Sequence, residues 1–172
     1  MNLLGAAHVI EAFEQVATRG TSPVCVSSMA GHYASLSRED EALPASAPVE
    51  DLLGLASVTA VGEEATAAYI LSERGNHLRV RAAAPAWDLR GARINSISPG
   101  VISTAMSKAE AESPPGAHML WMLQDCGAGR TGTPAEIAEA VAFLGGPEAG
   151  YVTGTDPLVD GGQAAWIRCH RV

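Results

Sequence analysis

VCVSSMAG, Val24 to Gly31, and INSISPGVIST, Ile94 to Thr104, decide the fold of this 172-residue chain. The first reads as a short buried strand over Pro23–Ser28 and the second as a strand over Ala92–Ser98 that stops at Pro99-Gly100. The segment between them returns to helical spacing from about Glu63 to Ala84, with Tyr69 near its start and Pro85 ending or kinking it. Upstream, Leu3, Ala6, Ala7, Ile10, Phe13, Val16 and Ala17 recur at three- and four-residue steps, which predicts an amphipathic helix over 2–18 closed by Gly20. Downstream, Thr133-Pro134-Ala135-Glu136 is a capping box with proline at the first helical position, so a helix runs from Pro134 to Leu144 and ends at Gly145-Gly146. Leu158 to Asp160 reads as a last short strand before Gly161-Gly162. Strands that alternate with helices imply right-handed crossovers and a parallel sheet.

Two stretches are irregular. Residues 33–60 carry acidic and Pro/Ser-rich runs around Leu52-Leu53-Gly54-Leu55 and read as short helices in a surface excursion. Residues 105–130, with Pro114-Pro115 and the cluster Met119 to Leu123, read as a loop carrying a short helix.

Composition bounds the function classes. Apolar residues at 47% and charged residues at 17% suit a compact α/β domain and exclude a disordered chain. A net charge of -8 without a lysine or arginine cluster argues against nucleic acid and against an anionic membrane surface as partners. No apolar run approaches the roughly 18 residues of a membrane span, and a reducing cytoplasm is the default compartment. Cys25, Cys126 and Cys169 propose neither a disulfide framework nor a metal site, and Cys25 reads as a small buried apolar residue. His32, His77 and His118 have no mutual spacing typical of a metal face, so no metal is expected.

The serine after the first strand, the tyrosine on the following helix, the Pro-Gly turn after the second strand and the closing pattern TGTPAEIAEAVAFL…YVTGTDPLVDGG occur in that order. Together they resemble the active-site half of a short-chain dehydrogenase/reductase. The resemblance implies a partial Rossmann-type parallel sheet of about three strands with flanking helices. It also implies interconversion of a ketone and a secondary alcohol with NAD or NADP, on a small carbonyl or alcohol substrate, by a homo-oligomer. By the same resemblance, Ser28 matches the serine that polarises the substrate carbonyl, Tyr69 the proton-transferring tyrosine, and Asn2 with Gly5 the asparagine of the proton relay. Pro99, Gly100, Val101 and Thr104 match the loop that cradles the nicotinamide. The long separation of Ser28 from Tyr69 resembles family forms with an inserted subdomain over the substrate cleft, which would make 33–60 a lid or an interface element.

From the residues alone, Asn2 also suits an N-cap, Ser28 a strand-end residue and Tyr69 a packed aromatic with a wet hydroxyl. The chain departs from the family where Tyr-x-x-x-Lys becomes Tyr69-Ile70-Leu71-Ser72-Glu73. At about 5 Å and an effective dielectric near 20, one unit charge is worth roughly 3 kcal/mol, or about two pKa units. A carboxylate at 73 is therefore expected to make the Tyr69 phenolate scarce and to impair proton transfer, with Arg74 too far around the helix to substitute. The glycine-rich turn that would hold the dinucleotide phosphates is not found before Asn2. The chain is accordingly expected to be a truncated domain, or a non-catalytic interaction and oligomerisation module of that family.

Overall fold

A computed structural model describes residues 2–112, Gly116, Leu123 and 127–170. Its centre is a three-stranded parallel sheet of β1 (Val24–Val26), β2 (Asn95–Pro99) and β3 (Leu158–Val159), in the order β1-β2-β3. Val24 pairs with Asn95 and Val26 with Ile97, and on the other side Ser98 pairs with Leu158 and Pro99 with Val159. Residues 95–98 of the central strand are buried on both faces although only Ile97 of them is apolar, and the side chains of Asn95, Ser96 and Ser98 are hydrogen-bonded.

Helices cover that sheet. α1 (Asn2–Val16) lays Leu3, Ala7 and Ile10 inward and ends short of the expected residue 18, so Gly20, at φ 87°, does not cap it but serves the Thr18–Thr21 turn, in which Thr21 N donates to Thr18 O. α4 (Ala65–Leu89) packs on α1, and Ile10, Ala17, Val80, Ala84, Trp87, Ala92 and Ile94 form the main core. Pro85 lies inside this helix and does not end it. Its missing N–H costs the bond to the Arg81 carbonyl. Trp87 at 0% exposure and Ala84 at 6% keep the last turns seated against the core, and the helix continues to Leu89.

The excursion over 33–60 is built of α2 (Arg38–Ser46), a 3₁₀ turn (Val49–Gly54) and α3 (Ala56–Thr59). It is packed, not loose: Val49 and Leu52 are buried against Leu3 and Ala7. Buried Arg79 ties three elements, donating to Ala47 O at 2.8 Å, Pro44 O at 3.3 Å and Glu11 Oε1 at 2.7 Å.

α5 (Ala105–Ala111) follows the β2 turn, and Pro114-Pro115, Met119 to Met122, His118 and Cys126 lie outside the described residues. α6 (Pro134–Gly145) opens on the expected capping box, with Glu136 N donating to Thr133 Oγ1 and Thr133 N to Glu136 Oε2. Its end is held by Arg93, whose guanidinium donates to Leu144 O, Gly146 O and Val152 O at 2.9 to 3.0 Å. A further helix, α7 (Gln163–His170), follows Gly161-Gly162, seated by buried Gln163 and Ala164. Cys25 is half-buried; burial, then Glu73 and Asp156, push its thiol pKa up.

Candidate active site

β1 stops where its ladder stops: Ser27 N still donates to Ile97 O at 2.9 Å, and Ser28 then turns the chain into a 3₁₀ helix, Met29–Tyr33. Ser28 is its N-cap, with Oγ accepting from Ala30 N at 3.1 Å. Its carbonyl accepts from Ser98 Oγ of β2 at 3.1 Å. The turn sits tightly on α4 because Gly31 has no side chain. A Cβ there would stand 2.5 Å from His77 Cε1 and 2.8 Å from both Arg74 N and Glu73 C.

Tyr69 and Glu73 are one turn apart on α4, but they face different surroundings. Tyr69 is 45% exposed, whereas Glu73 is 4% exposed. The Glu73 carboxylate accepts from Ser27 Oγ at 2.7 Å, Asn2 Nδ2 at 3.0 Å and, more weakly, Asn76 Nδ2 at 3.5 Å. The structure thus joins Asn2 to Glu73 directly across two helices. The serine on the carboxylate is Ser27; the Ser28 hydroxyl caps its own turn. Arg74 pairs with Glu41 of α2 and supplies no charge to Glu73's shell of neutral donors.

The Pro99 to Thr104 turn closes the carboxyl end of β2. Gly100 is required by packing, since a Cβ would lie 2.6 Å from the Asp160 Cα, and its N–H donates to Val159 O. Val101 is buried and its carbonyl accepts from Gly132 N. Thr104 accepts at Oγ1 from Ser107 N at 3.1 Å at the entry to α5.

A second cluster escaped the sequence reading. Asp156, in the loop before β3, accepts from Ser96 Oγ at 2.5 Å, Ser98 Oγ at 2.8 Å and His32 Nε2 at 2.6 Å, with His77 Nε2 at 3.5 Å. Burial alone would raise its carboxyl pKa, but His32, Ser96, His77 and Ser98 outweigh that and hold it below the usual range. His77 is the opposite case: burial, with smaller contributions from His32 and Arg74, outweighs the pull of Asp156 and lowers it to about 4, so the ring is neutral. His32 Nδ1 faces Arg168 Nη2 at 3.2 Å. A guanidinium only donates, so that nitrogen accepts and the His32 proton sits on Nε2, toward Asp156. The available signal was Ser96 and Ser98, two hydroxyls on one face of a buried strand, which must find a partner.

Comparison with known proteins follows this geometry. Residues 36–164 match the family model described as Enoyl-(Acyl carrier protein) reductase. The chain is 36% identical over 169 residues to the short-chain dehydrogenase/reductase bsc3 of Alternaria brassicicola, covering 97% of this chain and 62% of that protein. It is 32% identical over 172 residues to the 3-alpha-hydroxysteroid dehydrogenase/carbonyl reductase of Comamonas testosteroni, covering 98% and 66% respectively. The chain therefore spans somewhat under two thirds of each relative. Among solved structures, the 3-alpha-hydroxysteroid dehydrogenase of Pseudomonas sp. B-0831 complexed with NADH superposes with a TM-score of 0.69 at 28% identity, over 90% of this chain and 59% of that one.

Proposed function

The chain belongs to the short-chain dehydrogenase/reductase family, and on that footing we propose an NAD(P)-linked oxidoreductase of ketones and secondary alcohols whose turnover is held low by Glu73. One observation carries the reading: the Ser28 turn is packed against α4 at Glu73 to His77, one turn from Tyr69, at the carboxyl edge of a parallel sheet. In this reading Ser28 binds the carbonyl oxygen, Tyr69 exchanges its proton, and Asn2 holds a relay water beside Glu73. Pro99, Gly100, Val101 and Thr104 take the nicotinamide end of NAD or NADP, which supplies the reducing equivalents when bound. A carboxylate beside Tyr69 disfavours a second negative charge on the phenol, so proton exchange at neutral pH is slow.

The substrate is a small carbonyl or alcohol compound. A cleft of about 220 Å³ between residues 33–61 and α4, lined by Tyr33, Leu36, Ser57, Val61, Ile70 and Leu71 but not by Tyr69, takes its apolar part. Residues 33–60 form one wall of that cleft, which supports their role as a substrate lid. No described helix is long and apolar enough to cross a membrane. The assembly this reading expects is a cytoplasmic homo-oligomer. In its favour, Val9, Phe13 and Val16 of α1 and Val26 of β1 are exposed beside a groove of about 270 Å³ lined by Ala6, Ile10, Trp87 and Ile94.

A second reading, a non-catalytic interaction module, is favoured by the burial of Glu73 among neutral donors. Titration of the chain with NADH and NADPH by cofactor fluorescence, followed by turnover on a ketone panel, separates the two. The enzyme reading expects cofactor binding, and Glu73→Lys raising turnover by roughly tenfold or more, as a change of more than 1.4 kcal/mol in the barrier does. Binding without turnover in either form leaves the module reading, and absence of binding ends both the cofactor and the activity assignments.

A further inference from the structure

We propose that His32, His77 and Asp156 bind a divalent transition-metal ion, most simply Zn²⁺, as a structural clamp between the Ser28 turn, α4 and the loop before β3. The three ligand atoms, His32 Nε2, His77 Nε2 and Asp156 Oδ2, lie within 4.8 Å of one another. Tetrahedral zinc with bonds of about 2.0 to 2.1 Å needs ligand atoms roughly 3.3 Å apart. The observed separations from Asp156 Oδ2, 2.6 Å to His32 and 3.5 Å to His77, bracket that value, and the two histidine nitrogens lie within 4.8 Å of each other, so seating an ion draws the rings together by up to about 1.5 Å. All three side chains are enclosed, at 14%, 1% and 7% exposure. Two imidazoles and one carboxylate are a borderline donor set that suits zinc, cobalt and nickel over magnesium or calcium.

The surroundings have the form of an outer shell. Ser96 Oγ donates to Asp156 Oδ1 at 2.5 Å and so fixes the carboxylate while leaving Oδ2 directed at the histidines. Ser98 Oγ, 2.8 Å from Asp156 Oδ2 and 2.9 Å from His77 Nε2, stands where a fourth ligand or its water would be. Two donors, His32 Nε2 and Ser98 Oγ, share the single atom Oδ2 with His77 Nε2 3.5 Å away, an arrangement one cation replaces. Sequence spacing hid this because the histidines lie on different elements and meet only when Gly31 lets the turn close on α4.

Arg168 makes the proposal specific. Its contact with His32 Nδ1 keeps the proton on Nε2, the atom that must bind the metal. Ligation at Nε2 moves that proton to Nδ1, where it faces the Arg168 guanidinium, so the metal and Arg168 compete for His32.

The test uses the whole chain, stripped with a chelator and titrated with Zn²⁺ against a chromophoric zinc indicator, then with Co²⁺ to read its visible ligand-field bands. Expected are one ion per chain, a loss of more than about tenfold in affinity for His32→Ala and for Asp156→Asn, and tighter binding for Arg168→Ala. The Cys169→Ser, His170→Gln double variant, which removes the tail pair, should bind as the parent does. Far-ultraviolet circular dichroism of each variant confirms folding; Arg168 is on the surface and its substitution tests the competition even if a core variant misfolds. Absence of binding at micromolar Zn²⁺, binding indifferent to His32 and Asp156, or an Arg168→Ala chain that binds no tighter would overturn the proposal. None of these readouts depends on oxidoreductase activity.

Discussion

Gly31→Ala should cost about 3 kcal/mol of stability while changing a single methyl group. The backbone at Gly31 is not in the left-handed region, so alanine is conformationally allowed there and the cost is steric. Its Cβ would stand 2.5 Å from His77 Cε1 and 2.8 Å from two backbone atoms of α4, against an ordinary contact of about 3.5 to 4 Å. The His77 side chain is 1% exposed and has nowhere to turn, and helix backbone does not yield, so the 3₁₀ turn must retreat by about 1 Å. Overpacking of this kind costs about 1 to 3 kcal/mol. Retreat also stretches the 2.6 Å His32–Asp156 contact and the Ser98 bond to Ser28 O, worth about 1.5 to 3 kcal/mol when one partner is charged. Against this, alanine reduces the entropy of the unfolded chain by about 0.4 to 1 kcal/mol. Urea unfolding followed by circular dichroism measures the difference. Gly5→Ala is the internal control: its Cβ meets nothing within 4 Å in the first turn of α1, so it should stabilise by about 0.4 to 1 kcal/mol. Equal midpoints for Gly31→Ala and the parent, with the control behaving as stated, would refute the close approach of turn and helix.

Three further outcomes follow from the same contacts. His77 has a folded pKa of about 4 against an ordinary 6.5, so on acidification the unfolded chain binds the proton first and stability falls from pH 6.5 toward 4. The metal-free chain should be about 2 kcal/mol less stable at pH 5 than at pH 7 from this group, and His77→Gln should flatten the slope; unchanged slopes count against a buried neutral ring. Asp156, lowered below its usual value, adds a loss only in the more acid range below about pH 4. Arg93→Met should lower stability by about 1.5 to 3 kcal/mol in urea unfolding, because it removes the charged donor shared by Leu144 O, Gly146 O and Val152 O, each of which keeps one other donor, and a cost under about 0.5 kcal/mol would show that those remaining donors suffice.

What the sequence disclosed was local or periodic. The capping box at Thr133 and the helix begun by the stripe from Leu3 depend on residues close in the chain and stand in the structure, although α1 stops at Val16 and Gly20 belongs to the turn that follows. Pro85 misled because a local rule, the missing N–H, met a tertiary one, the burial of Ala84 and Trp87. α7 was invisible for the same reason: only contact with the rest of the domain seats Gln163 and Ala164. The His32, His77 and Asp156 cluster needed the crossover topology to assemble, since its members come from a turn, a helix and a loop far apart in sequence. The carboxylate at 73 was legible as a residue type. Its burial, and its partners Asn2 and Ser27, were not.

Those partners bear on why a carboxylate can stand at 73 at all. Asn2, Ser27 and Asn76 donate to Glu73, yet each also carries an oxygen that accepts after an amide flip or a hydroxyl rotation. A shell of arginines would fix the sign of the central charge, whereas a shell of amides and a hydroxyl adapts to either sign. Asn76 Oδ1 is buried without a hydrogen-bond partner while its amide nitrogen serves Glu73, and an ammonium at the same place would give that oxygen a donor. The fold therefore places no large barrier between Glu73 and a lysine, and the Glu73→Lys chain should fold as the parent does. Any difference in proton exchange between the two forms then belongs to the charge beside Tyr69 and not to a rearranged scaffold.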